Sequence, residues 1–396
     1  MPHQPAGVRH GTHARWLIVG YVIFTFIGYF NIGLSLAVLP VFITGSLGYN
    51  AVMAGLAISV QYVATLLFRG YSGKVVDSSG PKPAVQFSMF AFFVSGIVLA
   101  MAFAARDHAH LSLALIIVTR LLTGCAEGMV GASPINWAML RVGSRHTATI
   151  IPYNGIASYG ALAMGAPLGV YVIKLGNFYW LAAIIVISSV VGFVYVKTKR
   201  ALDGSHNAAR QSFVKVLAHV APYGICLGLG GLGFGTISTF MTLYYAYRHW
   251  ANGALALSLF GILFIAGRLF FSNSISRYGG LRVGIVCLLV EAMGLAIIWL
   301  WPSAAGSLIA AAIAGLGFSL VFPALGVEAI KASPPANQGA ALAGYGVFID
   351  ISLGLTGPLV GFVAERFGMA AIFPFAMGVV LIGVAVGALV GRQKGG

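Results

Sequence analysis

Only eight acidic side chains occur in 396 residues, and three of them, Glu127, Glu291 and Asp350, fall inside long apolar runs. An acid at the centre of a bilayer costs about 2.5–3.5 kcal/mol on the insertion scale, so such residues are functional candidates by default. Glu127 follows Arg120 by seven residues. That is two turns along one helix face, and both side chains can address the same cavity. The rise between them is about 10 Å, which predicts no direct pair and leaves water or a bound solute to connect them. Arg keeps its charge at any working pH, whereas a Glu withdrawn from water can take up and release a proton. Arg120 is therefore read as a fixed charge in a substrate cavity and Glu127 as a proton-coupling residue. The competing reading is a polar pair that only holds helices together. Asp350 stands eight residues before Pro358. It is either a second proton-coupling or substrate residue or an interhelical hydrogen-bonding group for Ser352, Tyr345 or a neighbour. Among neutral residues, Asn31, Ser35, Gln61, Asn136, Asn154, Tyr244 and Tyr245 are the candidates for the cavity wall, with Asn31 and Tyr244 favoured as substrate contacts.

Other chemistries lack their residues. His219 and His249 stand at opposite ends of one apolar run, and no His-x-x-x-His pair is present. Cys125, Cys226 and Cys287 show neither metal-ligand spacing nor a disulfide framework. There is no Gly-Lys-Ser/Thr phosphate loop and no dinucleotide fingerprint. The expectation is a protein that is not an enzyme, holds no metal and no cofactor, and does not use ATP.

The elements that must position these residues follow from composition. Hydrophobic residues make up 59%, charged residues 8%, and mean hydropathy is +0.94. A soluble chain carries about 25% charged residues, so a water-facing surface and a disordered chain are both excluded. A spanning helix needs about 20 apolar residues. Twelve spans are predicted, near 16–43, 51–72, 84–104, 111–138, 151–173, 178–197, 216–245, 254–272, 282–301, 307–331, 340–363 and 370–391. The runs are continuous and far longer than a barrel strand of about 10 residues. The fold class is thus an all-α polytopic membrane protein. Placing both termini inside puts 18 Lys and Arg on that side and 4 on the other, with Arg120 within a span. Such a bias sets cytoplasmic termini. The net charge of +15 is accordingly a matter of topology, not of nucleic acid. The expected partners are a small-molecule solute, protons and membrane lipids, with a monomeric chain.

The longest hydrophilic stretch, Lys197 to Ser212, lies at the midpoint of the chain. It predicts two similar six-helix halves, 1–197 and 213–396, joined by a cytoplasmic linker at 198–212. A repeat agrees with this: Gly80 follows Arg69 by eleven residues and Gly279 follows Arg268 by eleven, at an offset of 199. Between the second and third spans, Gly73-x-x-x-Asp77-x-x-Gly80-x-Lys82 reads as a short loop. There Asp77 is placed to meet the positive N-terminus of a neighbouring helix and act as a gate, or else to lie in a solvated turn.

That loop resembles the signature between spans 2 and 3 of the major facilitator superfamily, with Ser78 and Pro81 where basic residues are usual. The second copy, Ser276-Arg277-Tyr278-Gly279, lacks the acid. Arg120-Leu-Leu-Thr-Gly124 is similar to the family's intramembrane R-x-x-Q-G, with Thr123 for Gln. Gly160, Gly165, Pro167 and Gly169 resemble the Gly/Pro signature associated with antiporters, and Gly357-Pro358 is its counterpart near the C-terminus. The stretch Gly317 to Glu328 resembles the arabinose-efflux-like YhhS/YfcJ branch of bacterial facilitators. The resemblance implies two pseudo-symmetric halves and a secondary transporter of the bacterial inner membrane. It implies a gate at Arg69, Gly73, Asp77, Gly80, Lys82, Arg268 and Gly279. It also implies a peripheral third span in each three-helix repeat, so Glu291 reads as a helix-contact residue. Proton-driven efflux is the expected direction, and symport uptake or uniport of a metabolite is the alternative. A receptor without transport is a remote third.

Overall fold

The computed structural model describes residues 10–143, 146–175, 177–202, 213–333 and 338–395, less the side chains of 10–13, 77, 147–148, 213–216, 338–340, 342–343 and 394–395. All regular elements among them are helical. Within hydrocarbon no water is available to backbone N–H and C=O groups, and a helix pairs them internally. Twelve stretches are long and apolar enough to cross a bilayer. They are spans 1 to 12: Ala14–Gly45, Ala51–Val76, Pro81–Ala104, Ala109–Val142, Thr149–Lys174, Phe178–Thr198, Leu217–Tyr247, Ala254–Phe271, Gly280–Leu300, Ala304–Lys331, Gly344–Phe367 and Met369–Gln393. The predicted all-α polytopic fold is the observed one. Large apolar side chains such as Trp16, Phe270 and Leu300, which are 75%, 78% and 72% exposed, coat the outside of the bundle, where lipid is the natural solvent.

Three spans are broken. Span 1 comprises helices His10–Leu36 and Leu39–Gly45, and span 4 comprises Ala109–Val130 and Ser133–Val142. Span 10 comprises Ala304–Phe318 and Val321–Lys331. Pro40, Pro134 and Pro323 each stand in the first turn of the second helix, where the missing N–H has no intrahelical partner to lose. Spans 5, 7 and 11 carry Pro152 and Pro167, Pro222, and Pro358 inside continuous helices.

The expected gate loop is not a loop. One helix runs Ala51–Ser79, through Gly73 and past the position of Asp77, and the next begins at Pro81. Gly80 alone makes the turn, at φ +79°, and Gly279 makes the matching turn at +84°. Side chains rarely adopt this backbone region, and glycine enters it without strain. Arg69 therefore lies ten residues inside its helix rather than at its end. Lys82 Nζ donates to the carbonyls of Lys199 at 2.6 Å and Lys197 at 3.4 Å, closing the carbonyl end of span 6. The Asp77 side chain and linker residues 203–212 lie outside the described residues.

The first six spans meet the last six chiefly along two helix pairs, with the short helix Leu39–Gly45 of span 1 also touching span 7. Span 2 packs on span 11 and span 5 on span 8. Gly55 and Gly357 bring the first pair together so closely that a Cβ on either would overlap the other's backbone. At the ends remote from the termini, Asn50 Nδ2 donates to Glu365 Oε1 at 3.1 Å and Lys174 Nζ to Asn252 Oδ1 at 3.4 Å. Gly165 and Gly169 admit the backbone of span 1 at Phe30 and Leu34, while Gly160 faces Ile265 of span 8. Small residues permit such approaches, and in a membrane dispersion packing is the main attraction they release.

Candidate functional site

Span 4 carries a groove made of two glycines four residues apart. A Cβ at Gly124 would overlap the Gln61 carbonyl, and one at Gly128 would stand 2.7 Å from the Thr65 carbonyl oxygen. Span 2 lies in this groove. Its polar residues Gln61, Thr65 and Arg69 recur every four positions and so share one face. Arg120 and Glu127, on the grooved face of span 4, meet that stripe.

The result is a continuous buried polar chain. Arg120 Nη1 donates to Ser35 Oγ of span 1 at 2.9 Å, and Nη2 donates to Gln61 Oε1. Gln61 Nε2 donates to Glu127 Oε2 at 2.7 Å, and Thr65 Oγ1 donates to the same oxygen at 3.0 Å. Arg120 and Glu127 do not touch, as the rise along the helix predicts. Their connection, however, is the Gln61 side chain and not water or solute. The guanidinium and the carboxylate are 0% and 6% exposed. Among the described residues Arg120 Nε has no hydrogen-bond partner, so one buried donor is spare. Charges this deep survive only when paired and hydrogen-bonded; Arg120 and Glu127 balance each other's charge across the neutral amide of Gln61, which accepts from one with its oxygen and donates to the other with its nitrogen.

Four residues beyond Thr65, Arg69 reaches across to the other half. Its Nη2 donates to Asp350 Oδ1 at 2.8 Å and its Nε lies 2.6 Å from Oδ2. Asp350 is 4% exposed and Arg69 23%. Neither Ser352 nor Tyr345 holds Asp350: Ser352 donates to the Gly228 carbonyl and Tyr345 to the Phe322 carbonyl. Arg69, expected in a gate loop, is thus the inter-half partner of the acid expected to couple protons.

The other candidates lie elsewhere. Asn31 is taken up by span 6: its Nδ2 donates to Ser189 Oγ at 3.1 Å and its Oδ1 accepts from Ser188 at 2.6 Å. Tyr244 is buried against Trp250 and Phe373, with ring centroids 5.6 and 4.8 Å away. Both are packing residues here, not members of the polar chain. Asn136 is half-buried on the short helix Ser133–Val142. Thr123, at the family's Gln position, meets Ser95 Oγ of span 3 at 3.0 Å, and the amide beside Arg120 comes from Gln61 instead. Glu291 is fully buried against Gly230 and Gly233 of span 7. Glu328 pairs with Lys331 at 3.1 Å. Arg268 leaves the helix face of span 8 toward span 5, where its guanidinium lies over the ring of Tyr159 at 5.6 Å, and its Nε donates to the Ser319 carbonyl at 3.0 Å. Ser35, a cavity candidate on span 1, does join the polar chain through Arg120, whereas Thr65 and Tyr159 are not among the residues expected from the sequence. The four-residue spacing of Gln61, Thr65 and Arg69 is the signal from which Thr65 was readable.

Among the described residues no group of three His, Cys, Asp or Glu is placed to hold a metal ion. What the face of span 2 offers is two buried carboxyl groups held by neutral or cationic donors, Glu127 from span 4 and Asp350 from span 11.

The sequence profile of the Major Facilitator Superfamily matches residues 21–325. An uncharacterized MFS-type transporter of Pseudomonas aeruginosa (strain UCBPP-PA14) is 50% identical over 393 residues, covering 99% of this chain and 98% of the relative. One from Burkholderia mallei (strain SAVP1) is 46% identical over 377 residues, covering 95% and 92%. Among solved structures, a mutant of the nucleoside transporter NupG superposes with a TM-score of 0.75 at 16% identity, covering 94% of this chain and 99% of that one. The human organic anion transporter MFSD10 superposes with a TM-score of 0.70 at 13% identity, covering 94% and 99%. At these identities the structural likeness speaks for the fold.

Proposed function

The chain belongs to the Major Facilitator Superfamily, and on that premise we propose that it is a proton-coupled secondary transporter exporting a small organic solute across the bacterial inner membrane. It works without ATP, metal or cofactor and catalyses no covalent step. The basic side of the bundle faces the cytoplasm, with both termini, by the bias of Lys and Arg. The single observation that carries the coupling is one face of span 2 that holds both the buried Gln61–Glu127–Thr65 cluster and, one turn further on, the separate Arg69–Asp350 pair between the halves. Protonation of Asp350 removes the charge that holds Arg69, and the two halves are then free to part along spans 2 and 11. Protonation of Glu127 removes the negative charge that balances Arg120 and opens the centre to a solute. Each proton charge moved through 100 mV supplies about 2.3 kcal/mol, enough to bias a two-state rocking of the halves. The antiporter-like glycines of span 5 and the arabinose-efflux-like stretch 317–328 support export.

The test is proton counterflow in energised everted vesicles, read with a ΔpH-sensitive dye against a panel of sugars, organic acids and cationic drugs. A compound should release the gradient with wild-type protein and fail to do so with Glu127→Gln or Asp350→Asn. Equal release by wild type and both variants sinks the proton assignment. Accumulation into intact cells without counterflow would replace export by uptake.

A further inference from the structure

The internal repeat places one guanidinium twice, and among the described residues only one copy has a counter-ion. Arg268 stands 199 residues after Arg69. The helices they face are also related: Pro358, Asp350 and Gly346 of span 11 stand 191 residues after Pro167, Tyr159 and Gly155 of span 5. The contacts repeat accordingly. A Cβ at Gly346 would come 3.6 Å from Arg69 Nη1, and a Cβ at Gly155 would overlap the Arg268 guanidinium. Where Arg69 finds the carboxylate of Asp350, Arg268 finds the phenol ring of Tyr159 at 5.6 Å and the ring of Phe264 at 4.7 Å.

Its Nε is occupied by the Ser319 carbonyl. Among the described residues neither Nη group has a hydrogen-bond partner and no carboxylate forms an ion pair with it. Beyond it extends an aromatic wall. Tyr159 stacks on Phe264 at 3.7 Å, and Phe234 lies 5.3 Å from both Phe260 and Phe318. A small cavity between the halves borders Tyr159, Phe234, Phe260 and Gly261.

We infer that Arg268 is the receptor for the anionic group of the transported solute, and that the solute class is an organic monoanion with a carboxylate on a planar apolar body. The inference rests on the transporter reading above and narrows it. A half-buried guanidinium without a counter-ion is unfavourable, and its fork matches a carboxylate with two parallel bonds. The Arg69–Asp350 pair shows the repeat-related guanidinium with its carboxylate, met through Nε and Nη2 and supplied by the chain itself; at Arg268 the Nε is taken and the two Nη groups are left for it. At the second copy the solute supplies it, and the aromatic faces of Tyr159 and Phe234 take up the ring.

The test is equilibrium binding to the purified full chain by titration calorimetry. The probes are benzoate, cinnamate and naphthoate, each beside its primary amide, with thermal unfolding as the check of fold. The carboxylates should bind and the amides should bind about tenfold to a hundredfold more weakly, the range of one charge-assisted hydrogen-bond set. Arg268→Gln should erase that difference and Arg268→Lys should retain part of it. Tyr159→Asp should also abolish carboxylate binding, while leaving the unfolding temperature at or above wild type, because it installs the internal counter-ion that span 11 already has. Equal affinity for acid and amide, carboxylate binding that survives Arg268→Gln and Tyr159→Asp, or no carboxylate binding at millimolar concentration each overturns the inference. Binding at equilibrium needs no gradient. Carboxylate binding without counterflow would therefore sink the coupling alone, and counterflow of neutral solutes through Arg268→Gln would sink the solute class alone.

Discussion

Arg69 and Asp350 lie 281 positions apart in the chain and meet between the first six spans and the last six, with Nη2 donating to Oδ1 at 2.8 Å and Nε 2.6 Å from Oδ2. No other ion pair among the described residues joins the halves. Removing one partner of a buried pair leaves the other uncompensated and costs about 3–5 kcal/mol. The 23% exposure of Arg69 puts the effect near the lower end. Asp350→Asn should therefore lower the unfolding temperature of the purified protein markedly. Adding Arg69→Gln should restore part of the loss, since the double variant holds no orphan charge. Additive losses would show that the two side chains do not depend on each other.

Glu127 separates a protonation role from a packing role. In Glu127→Gln the amide oxygen can still accept from Gln61 and Thr65, whose bonds to Glu127 are 2.7 and 3.0 Å. Both hydrogen bonds survive and only the charge that balances Arg120 is lost, so stability should fall by less than in Glu127→Ala, while gradient-driven counterflow is lost. Glu127→Ala strands both donors and should destabilise by about 1–3 kcal/mol. A Gln variant that transports with wild-type dependence on pH would reduce Glu127 to a structural residue.

Gln61 is the connecting part. It alone bridges Arg120 to Glu127, and Gln61→Leu would leave Arg120 with Ser35 as its hydrogen-bond partner. Bonds to charged groups contribute about 1.5–3 kcal/mol each, so a loss of that order is expected in thermal or denaturant unfolding. Counterflow should fall with it. Unchanged stability would mean that water replaces the amide at no cost.

Gly357 sets how closely spans 2 and 11 approach. A side chain there would overlap the backbone of Gly55 and the hydroxyl of Ser59. Gly357→Leu should push the spans apart near the clasp that Asn50 makes with Glu365 at 3.1 Å. A short thiol cross-linker joining Asn50→Cys to Glu365→Cys should give high yield on an otherwise native background and low yield with Gly357→Leu. Undiminished yield would show that this end does not depend on glycine packing.

Much of this protein was legible in one dimension. Apolar runs of spanning length determined twelve helices, because a backbone in hydrocarbon has no partner but itself. The seven-residue spacing of Arg120 and Glu127 determined that they share a face without touching. Helical periodicity carries such information because it relates neighbours along one chain segment. Contacts between helices are not periodic, and only the tertiary structure decided them. The glycine groove at 124 and 128 brought Gln61 between Arg120 and Glu127. The unbroken helix Ala51–Ser79 took Arg69 out of its expected loop and placed it against Asp350. Asn31 and Tyr244 were spent on packing, because the facing surfaces of span 6 and of the Trp250–Phe373 cluster already supplied their partners. Which polar residue meets a ligand and which meets a neighbouring helix depends on rotation and depth of each span. Those are fixed by side-chain packing across the whole bundle.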